Sequence, residues 1–113
     1  MKIQCDDHER ITVIHLNGNF TESTVERFRR TCAEHLRQGR EGVILDLEAM
    51  HQIDSCGLEQ LLWLHDQLEE RGGAVRLVNP VEIVCTILRI TRLDRCFDIH
   101  ASIESAAKSL RMG

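Results

Sequence analysis

The sequence predicts a single α/β domain over residues 1–113, with a mostly parallel, mixed sheet of about five strands and four helices. Segments typical of strands alternate with segments whose apolar residues recur at helical spacing. A chain of 113 residues with one proline has the size of one domain and shows no linker. The predicted order is β-β-α-β-α-β-α-β-α, in which the first two strands pair antiparallel and parallel neighbours are joined by right-handed crossovers.

Composition and charge exclude several classes of protein. Hydrophobic residues make up 42% and charged residues 28% of the chain, as in soluble globular proteins. The net charge of −4 argues against binding to nucleic acid or to an anionic membrane surface. No apolar run approaches the roughly 20 residues of a membrane span, and the N-terminus lacks a signal-peptide core. We therefore expect a cytoplasmic protein.

Two strands and a helix are predicted first along the chain. The alternating segment Ile11–Leu16 is typical of a strand, and Met1–Cys5 is its expected partner. The period changes to that of a helix between Thr21 and Gly39, where Ser23 and Glu26 match a capping box and the glycine offers a stop. The apolar residues at helical spacing are Val25, Phe28, Cys32, Ala33 and Leu36.

The middle of the chain predicts a buried strand, a loop and a second helix. The segment Val43–Leu47 is almost continuously apolar, which indicates a strand covered on both faces. A loop over Glu48–Asp54 leads to a helix that begins near Ser55 and ends at Gly72-Gly73. The predicted inner stripe of this helix is Leu58, Leu61, Leu62, His65 and Leu68.

The remaining elements complete the alternation. Ala74–Val78 is predicted to be a strand, and Asn79-Pro80 resembles a helix start with a cap residue followed by proline. Val81, Val84, Ile87 and Leu88 should point inward from that third helix. A short strand is expected near Cys96–Ile99, and a last helix should run from Ser102 with Ala106, Ala107 and Leu110 inward.

Cysteine and histidine spacing gives no metal motif. The five cysteines include no CxxC pair and their number is odd, so we expect free thiols in a reducing compartment. The six histidines show no i,i+4 pair on a helix and no cluster with cysteine. The sequence therefore predicts no zinc site and no other metal or cofactor.

Candidate catalytic groups are few. Neither Gly18 nor Gly57 belongs to a glycine-rich phosphate loop, and no GxSxG motif surrounds Ser55. Cys56, near a helix N-terminus, is either a thiol with a lowered pKa or a small residue tolerated in a tight turn. Asp54, at the end of a predicted loop, is more typical of a capping or loop residue than of a general acid. We assign no catalytic residue.

The segment Asp54-Ser55-Cys56-Gly57-Leu58 has two interpretations. Ser55 can be a helix N-cap, whose hydroxyl accepts from a backbone N–H, while Gly57 permits the close approach of another backbone. Alternatively, a hydroxyl at an exposed helix N-terminus suits phosphorylation, because unsatisfied N–H groups and the helix dipole tolerate a phosphate there.

The only tryptophan is predicted to lie on the outer face of the second helix. At 100° per residue, Trp63 falls opposite the predicted apolar stripe. The residues that share this outer face are Cys56, Glu59, Gln60 and Gln67. Trp63 is then either covered by a neighbouring helix or chain terminus, or an anchor for a binding partner, since tryptophan is enriched in binding hot spots.

Three segments together resemble a known family. They are the apolar strand Val43–Leu47, the motif Asp54–Leu58 that begins seven residues later, and Gly72-Gly73 before a strand. This arrangement is similar to the STAS domain, and more specifically to the bacterial anti-sigma factor antagonists. The likeness covers nearly the whole chain, including Leu16–Phe20 and Thr91–Leu93.

The resemblance implies a binding switch without catalytic activity. Relatives bind an anti-sigma factor that is often an ATP-dependent serine kinase, and phosphorylation at the position of Ser55 breaks the complex until a phosphatase reverses it. In many relatives a second serine stands where this chain has Cys56, and an acidic residue often stands where it has Thr21. The partner-binding residues implied by the resemblance and by the helix face are Asn19, Thr21, Asp54, Ser55, Cys56, Gly57, Glu59, Gln60 and Trp63.

The resemblance also implies no cofactor, no nucleic acid, no direct membrane contact, and a monomer or weak dimer. One alternative is a STAS subunit of a signalling scaffold or of a lipid-transport ATPase. A second alternative is a small thiol or phosphoryl enzyme acting at Cys56 or Ser55.

Overall fold

A six-stranded mixed sheet forms the centre of the structure, a computed structural model that describes residues 1–112. Its strands are β1 (Lys2–His8), β2 (Ile11–Phe20), β3 (Gly42–Asp46), β4 (Met50–Ile53), β5 (Ala74–Val78) and β6 (Asp98–His100). The helices are α1 (Glu22–Arg37), α2 (Ser55–Glu70), α3 (Glu82–Ile90) and α4 (Ile103–Met112), with a short 3-10 helix at Leu93–Arg95.

The sheet topology confirms the predicted α/β class. The strand order is β1-β2-β3-β5-β6, and β4 pairs with the far end of β2. β1 pairs antiparallel with β2, placing Cys5 opposite Ile14, whereas β2, β3, β5 and β6 run parallel to one another. Helices between parallel strands are what such a sheet requires, because each crossover must cover a sheet face.

Two apolar cores lie on opposite faces of the sheet. The larger core lies under α1, α2 and α3, where side chains such as Phe28, Leu64 and Val84 are buried against the sheet. The smaller core lies under α4, where Ala106 packs with Ile44 and neighbouring strand residues. The alternation of strand side chains explains why Ile44 and its neighbour on β3 belong to different cores.

The predicted loop Glu48–Asp54 contains a sixth strand. β2 continues four residues beyond its predicted end at Leu16. Its last three residues, 18–20, pair in parallel with β4, and the register shifts between Gly18 and Asn19. β4 has only four residues, with two exposed polar residues between its buried ends, Met50 and Ile53. A segment this short carries no period that would separate a strand from a loop.

Two helices begin at other residues than predicted. α1 starts one residue after its N-cap, Thr21, whose N–H donates to the hydroxyl of Thr24 at 3.1 Å, so the predicted capping box at Ser23 and Glu26 is wrong. α3 starts at Glu82, because Asn79 has a left-handed φ of 50° that a helix start cannot continue. The N–H of Asn79 instead donates to the carbonyl of His100 at 3.0 Å.

Other boundaries agree closely. α1 ends as predicted, with Gly39 at a φ of 84°, where a left-handed residue closes the helix. α4 is capped by Ser102, whose hydroxyl accepts from the N–H of Ser105 at 3.0 Å. β6 lies at Asp98–His100, slightly later than predicted. Within residues 1–112, none of the helices combines the length and the apolar character needed to cross a membrane.

Candidate functional site

The motif that begins at Asp54 lies where the first turns of two helices meet. β2 leads directly into α1 and its paired strand β4 leads directly into α2. The N–H of Asp54 donates to the carbonyl of Phe20 at 3.2 Å, which ties the two strand-to-helix connections together. The N-termini of α1 and α2 therefore form one continuous surface at the carboxyl ends of β2 and β4.

Asp54 joins the two helices through its carboxylate. One oxygen, Oδ1, accepts from the N–H of Gly57 at 2.9 Å and caps α2, and the other, Oδ2, accepts from the N–H of Glu22 at 3.1 Å, in the first turn of α1. These backbone donors, above all Gly57, stabilise the charged carboxylate and lower the pKa of Asp54. Asp54 therefore caps α2 and also binds the first turn of α1.

The prediction that Ser55 is the N-cap of α2 is wrong. Asp54 has the extended backbone and the capping side chain, and Ser55 is the first residue inside the helix. Ser55 is exposed to solvent. Because the aspartate caps the helix, the serine hydroxyl is not needed for that role.

Gly57 confirms the predicted close approach of another backbone. A Cβ at this position would lie 2.5 Å from the carbonyl oxygen of Phe20 and 2.8 Å from the Cγ1 of Ile53. Such distances exclude any larger side chain unless the chain shifts. The absence of a Cβ lets the first turn of α2 press against the end of β2, which holds Ser55 at a defined place.

Cys56 does not have the properties of an activated thiol. Partial removal from water raises its pKa above the ordinary value, and the carboxylates of Asp54, Glu22 and Glu59 raise it further. The pKa of Cys56 is raised although the positive end of the α2 dipole favours a thiolate. The hypothesis of a lowered pKa is therefore wrong, and Cys56 is protonated at neutral pH.

The remaining residues expected near the motif divide into two groups. Asn19 is exposed and Thr21 half-buried, and both lie at the junction of β2 and α1, beside Asp54. Glu59 is exposed one turn along α2 from Ser55. These residues share the surface formed by the two helix N-termini.

Gln60 and Trp63 lie under α1 instead of on an open outer face. Gln60 is only 7% exposed, and its Oε1 accepts from the Nε of Arg29 at 3.0 Å. The guanidinium of Arg29 lies 4.6 Å from the centre of the Trp63 ring, which is half-buried and packs against the larger core. Of the two interpretations of Trp63, the structure favours coverage by a neighbouring helix. The predicted outer face is wrong for Gln60, because Leu64, left out of the predicted stripe, is fully buried and the inner face of α2 lies closer to Gln60 than predicted.

Sequence reasoning missed Glu22 as part of this surface. Its N–H binds Asp54 and its carboxylate contributes to the negative charge around Cys56. The signal available was an acidic residue in the first turn of a predicted helix. That signal does not indicate contact with a residue 32 positions away in the chain.

Comparisons with known proteins find a matching domain family and similar structures. The STAS domain profile matches residues 2–106. A protein of Thermotoga maritima named as a candidate anti-sigma factor antagonist is 32% identical over 78 residues, which cover 69% of each chain. The anti-sigma factor antagonist SpoIIAA in its unphosphorylated form superposes with a TM-score of 0.86 at 25% identity, covering 99% of this chain and 98% of that chain.

A phosphorylated structure of a similar protein also matches the fold. The Bacillus cell fate determinant SpoIIAA in the phosphorylated form superposes with a TM-score of 0.77 at 24% identity. The match covers 97% of this chain and 100% of that chain.

Proposed function

The chain belongs to the STAS domain family, and we propose that it is an anti-sigma factor antagonist that is switched off by phosphorylation of Ser55. It binds an anti-sigma factor, itself an ATP-dependent serine kinase, through the surface formed by the N-termini of α1 and α2. Binding releases a sigma factor for transcription. A phosphatase restores the active form in the cytoplasm, and the chain acts as a monomer or weak dimer.

The observation that carries this proposal is the position of Ser55. Its side chain is exposed in the first turn of α2, while the neighbouring Asp54 supplies the helix cap. Phosphorylation can therefore occur without loss of the cap, and the added group lies at the positive end of the helix. The free protein should tolerate the modification and keep its fold.

The charges around Ser55 explain why phosphorylation would break a complex. A phosphate adds about −1.5 to −2 charges at neutral pH, whereas the helix dipole offers about half a positive charge. Asp54, Glu22 and Glu59 already make this surface negative. The phosphate stays negative and hydrated, and a partner that docks over it must remove that water, at a cost of several kcal/mol when like charges meet.

The comparisons support the same assignment. Two proteins similar to this chain are named anti-sigma factor antagonists, in one case as a candidate. SpoIIAA, which shares the fold, has been solved both with and without phosphorylation. The raised pKa of Cys56 argues against the alternative of a thiol enzyme.

The test uses the anti-sigma factor kinase from the same cell, recovered on the unmodified protein and then purified. We expect intact mass to show one added phosphate after incubation with this kinase and ATP, and none with ATP alone. Ser55→Ala should bind and resist phosphorylation. Ser55→Asp should keep its Tm and bind at least tenfold more weakly, a loss of about 1.4 kcal/mol or more.

Ser23 provides a matched control, because it is also an exposed serine in the first turn of a helix on this surface. Ser23→Ala should accept the phosphate as the unmodified protein does. Phosphate on Ser23 or on another residue, or full-strength binding by Ser55→Asp, would refute the switch.

A further inference from the structure

β1 is an edge strand of the sheet, and its outer side is open. It pairs with β2, and within residues 1–112 no second strand lies beside it. None of its seven residues, Lys2–His8, is fully buried. An edge strand of this kind presents a row of backbone N–H and C=O groups with which another strand can pair.

The two faces of β1 carry different side chains. Ile3 and Cys5 are half-buried and pack against the larger core. The opposite face of the sheet is covered by α4, but this helix packs on β3, β5 and β6, toward the other edge. On that face β1 therefore exposes its alternate residues, Lys2, Gln4 and Asp6.

The backbone groups of every second residue point to the open edge. A two-residue turn joins β1 to β2 and places His8 opposite Ile11. Such a turn closes with a hydrogen bond between its first and fourth residues, and bonded pairs then alternate with unbonded pairs along the two strands. The residues that turn their N–H and C=O groups outward are therefore Ile3, Cys5 and Asp7.

We propose that β1 pairs antiparallel with β1 of a second copy of this chain, about a two-fold axis that passes through Gln4. An axis perpendicular to the sheet keeps each face of the strand on its own side, so residues of one face meet residues of the same face. Lys2 of each chain then lies opposite Asp6 of the other chain, and Ile3 lies opposite Cys5. The two sheets become one continuous sheet.

Charge complementarity favours a second copy as the occupant of this edge. Lys2 belongs to none of the ion pairs formed within residues 1–112. Asp6 lies 3.2 Å from the Nε2 of His15 through one carboxylate oxygen, but its side chain is 63% exposed and can still meet a lysine. Opposite charges that face each other across two strands stabilise the pairing, and the two-fold axis supplies this contact twice.

Neighbouring registers lose these contacts. An axis through Cys5 would place the apolar Ile3 opposite the carboxylate of Asp7. An axis through Asp6 would place that carboxylate opposite its own copy, and like charges directly opposed destabilise a strand pair. Of these three registers, the one centred on Gln4 matches both charge and polarity. The proposal does not depend on the switch at Ser55, since its test needs neither the kinase nor the phosphate.

Sedimentation equilibrium of the reduced protein, without a purification tag, measures the association. We expect a reversible equilibrium between monomer and dimer as the protein concentration rises. Lys2→Asp and Asp6→Lys should each weaken the dimer by about tenfold or more, because symmetry turns two attractive pairs into two repulsive ones. The double variant Lys2→Asp/Asp6→Lys restores opposite charges in reversed order, and it should dimerise as the wild-type protein does.

Lys108→Asp is the matched control, because it reverses the charge of the only other lysine in the chain. Lys108 is exposed on α4, away from β1, and its replacement should leave the dimer unchanged. Circular dichroism confirms that each variant is folded.

A disulfide tests the register. Gln4→Cys places two thiols opposite each other at the axis, with about 4.5 Å between their Cα atoms, a separation that a disulfide can span. With oxidised glutathione as the oxidant, peptide mass mapping should show residue 4 of one chain linked to residue 4 of the other.

Three results would overturn the proposal. A protein that stays monomeric at every concentration would leave this edge open to a strand of another protein. Undiminished dimerisation of Lys2→Asp, or a double variant that does not recover the dimer, would show that Lys2 and Asp6 do not meet across the axis. A wild-type protein in which oxidation links Cys5 to Cys5 would place the axis at that residue instead of at Gln4.

Discussion

Asp54 shows how one side chain can organise a whole surface. Each of its two carboxylate oxygens accepts a backbone N–H from the first turn of a different helix. Both N–H groups would otherwise lack partners, since the first turn of a helix has no intrahelical acceptors. The same contacts lower the pKa of Asp54, so its charge is linked to the folding of both helices.

Replacement of Asp54 by alanine should lower the Tm by a few degrees at neutral pH. The pKa of the carboxyl is lower in the folded chain than its ordinary value of 3.8. Its contribution to stability is therefore complete above about pH 4 and is lost as the pH falls through the folded pKa. The Tm difference between the wild-type protein and Asp54→Ala should shrink in acid, as measured by thermal unfolding from pH 7 to pH 3.

Ser55→Ala is the control for this experiment, because it changes the next residue without removing a charge. Its Tm difference from the wild-type protein should not vary with pH. A difference for Asp54→Ala that stays constant down to pH 3 would show that the charge of the carboxylate does not stabilise the helix ends.

At the scale of elements, α1 and α2 are joined by Arg29. The arginine donates from Nε to Gln60 and lays its guanidinium over the ring of Trp63, both on α2. A cation over an aromatic face is worth about 0.5–1 kcal/mol at an exposed site. Trp63 therefore contributes to the packing of α1 against α2. We expect its replacement to affect stability as well as any partner binding.

Trp63→Ala should lower the free energy of unfolding by about 1–3 kcal/mol, less than the 3–5 kcal/mol typical of a fully buried tryptophan, because the ring is half-buried. Arg29→Ala should cost less. In a double-mutant cycle the two changes should be coupled by about 0.5–1 kcal/mol, since each removes the same contact. Urea unfolding followed by circular dichroism measures all four proteins.

Strictly additive effects would show that Arg29 and Trp63 do not interact in solution. A Trp63→Ala protein of unchanged stability that binds its partner about 2 kcal/mol more weakly would instead support an interface anchor.

The sequence was sufficient to predict the elements whose pattern is long and regular. Every predicted strand and helix has a counterpart in the structure, and the motif Asp54–Leu58 lies at the start of α2 as expected. The buried strand β3 was recognisable because its apolar run leaves no exposed face. These features depend on period and composition, which a single sequence contains.

Contacts between distant segments could not be predicted in the same way. β4 exists because β2 extends far enough to pair with it, and four residues do not reveal that pairing. Asp54 and Ser55 are both residue types that cap helices, so the sequence does not separate them, and the contact of Asp54 with Glu22 lies 32 positions away in the chain. The buried face of α2 was predicted incorrectly because the predicted stripe left out Leu64, which is fully buried. The sequence also does not show that α1 covers Gln60 and Trp63.

At the scale of the whole molecule, the sheet separates two cores of unequal size. Leu45 points into the larger core under α1, α2 and α3, and its neighbour Ile44 points into the smaller core under α4. Both side chains are fully buried. The two residues are adjacent on the central strand β3, so both cores are built on the same strand.

This arrangement should make the domain unfold as one cooperative unit. Ile44→Ala and Leu45→Ala should each lower the free energy of unfolding by about 2–5 kcal/mol, the range for large-to-small changes at fully buried positions. The only tryptophan, Trp63, reports on the α1 and α2 side, whereas far-ultraviolet circular dichroism reports on the whole chain. In Ile44→Ala, both signals should shift to the same lower urea midpoint with an unchanged m-value, although Trp63 lies on the opposite side of the sheet. If the tryptophan transition stayed at the wild-type midpoint while the dichroism moved, the α4 side would be an independent folding unit and the two cores would not be coupled through β3.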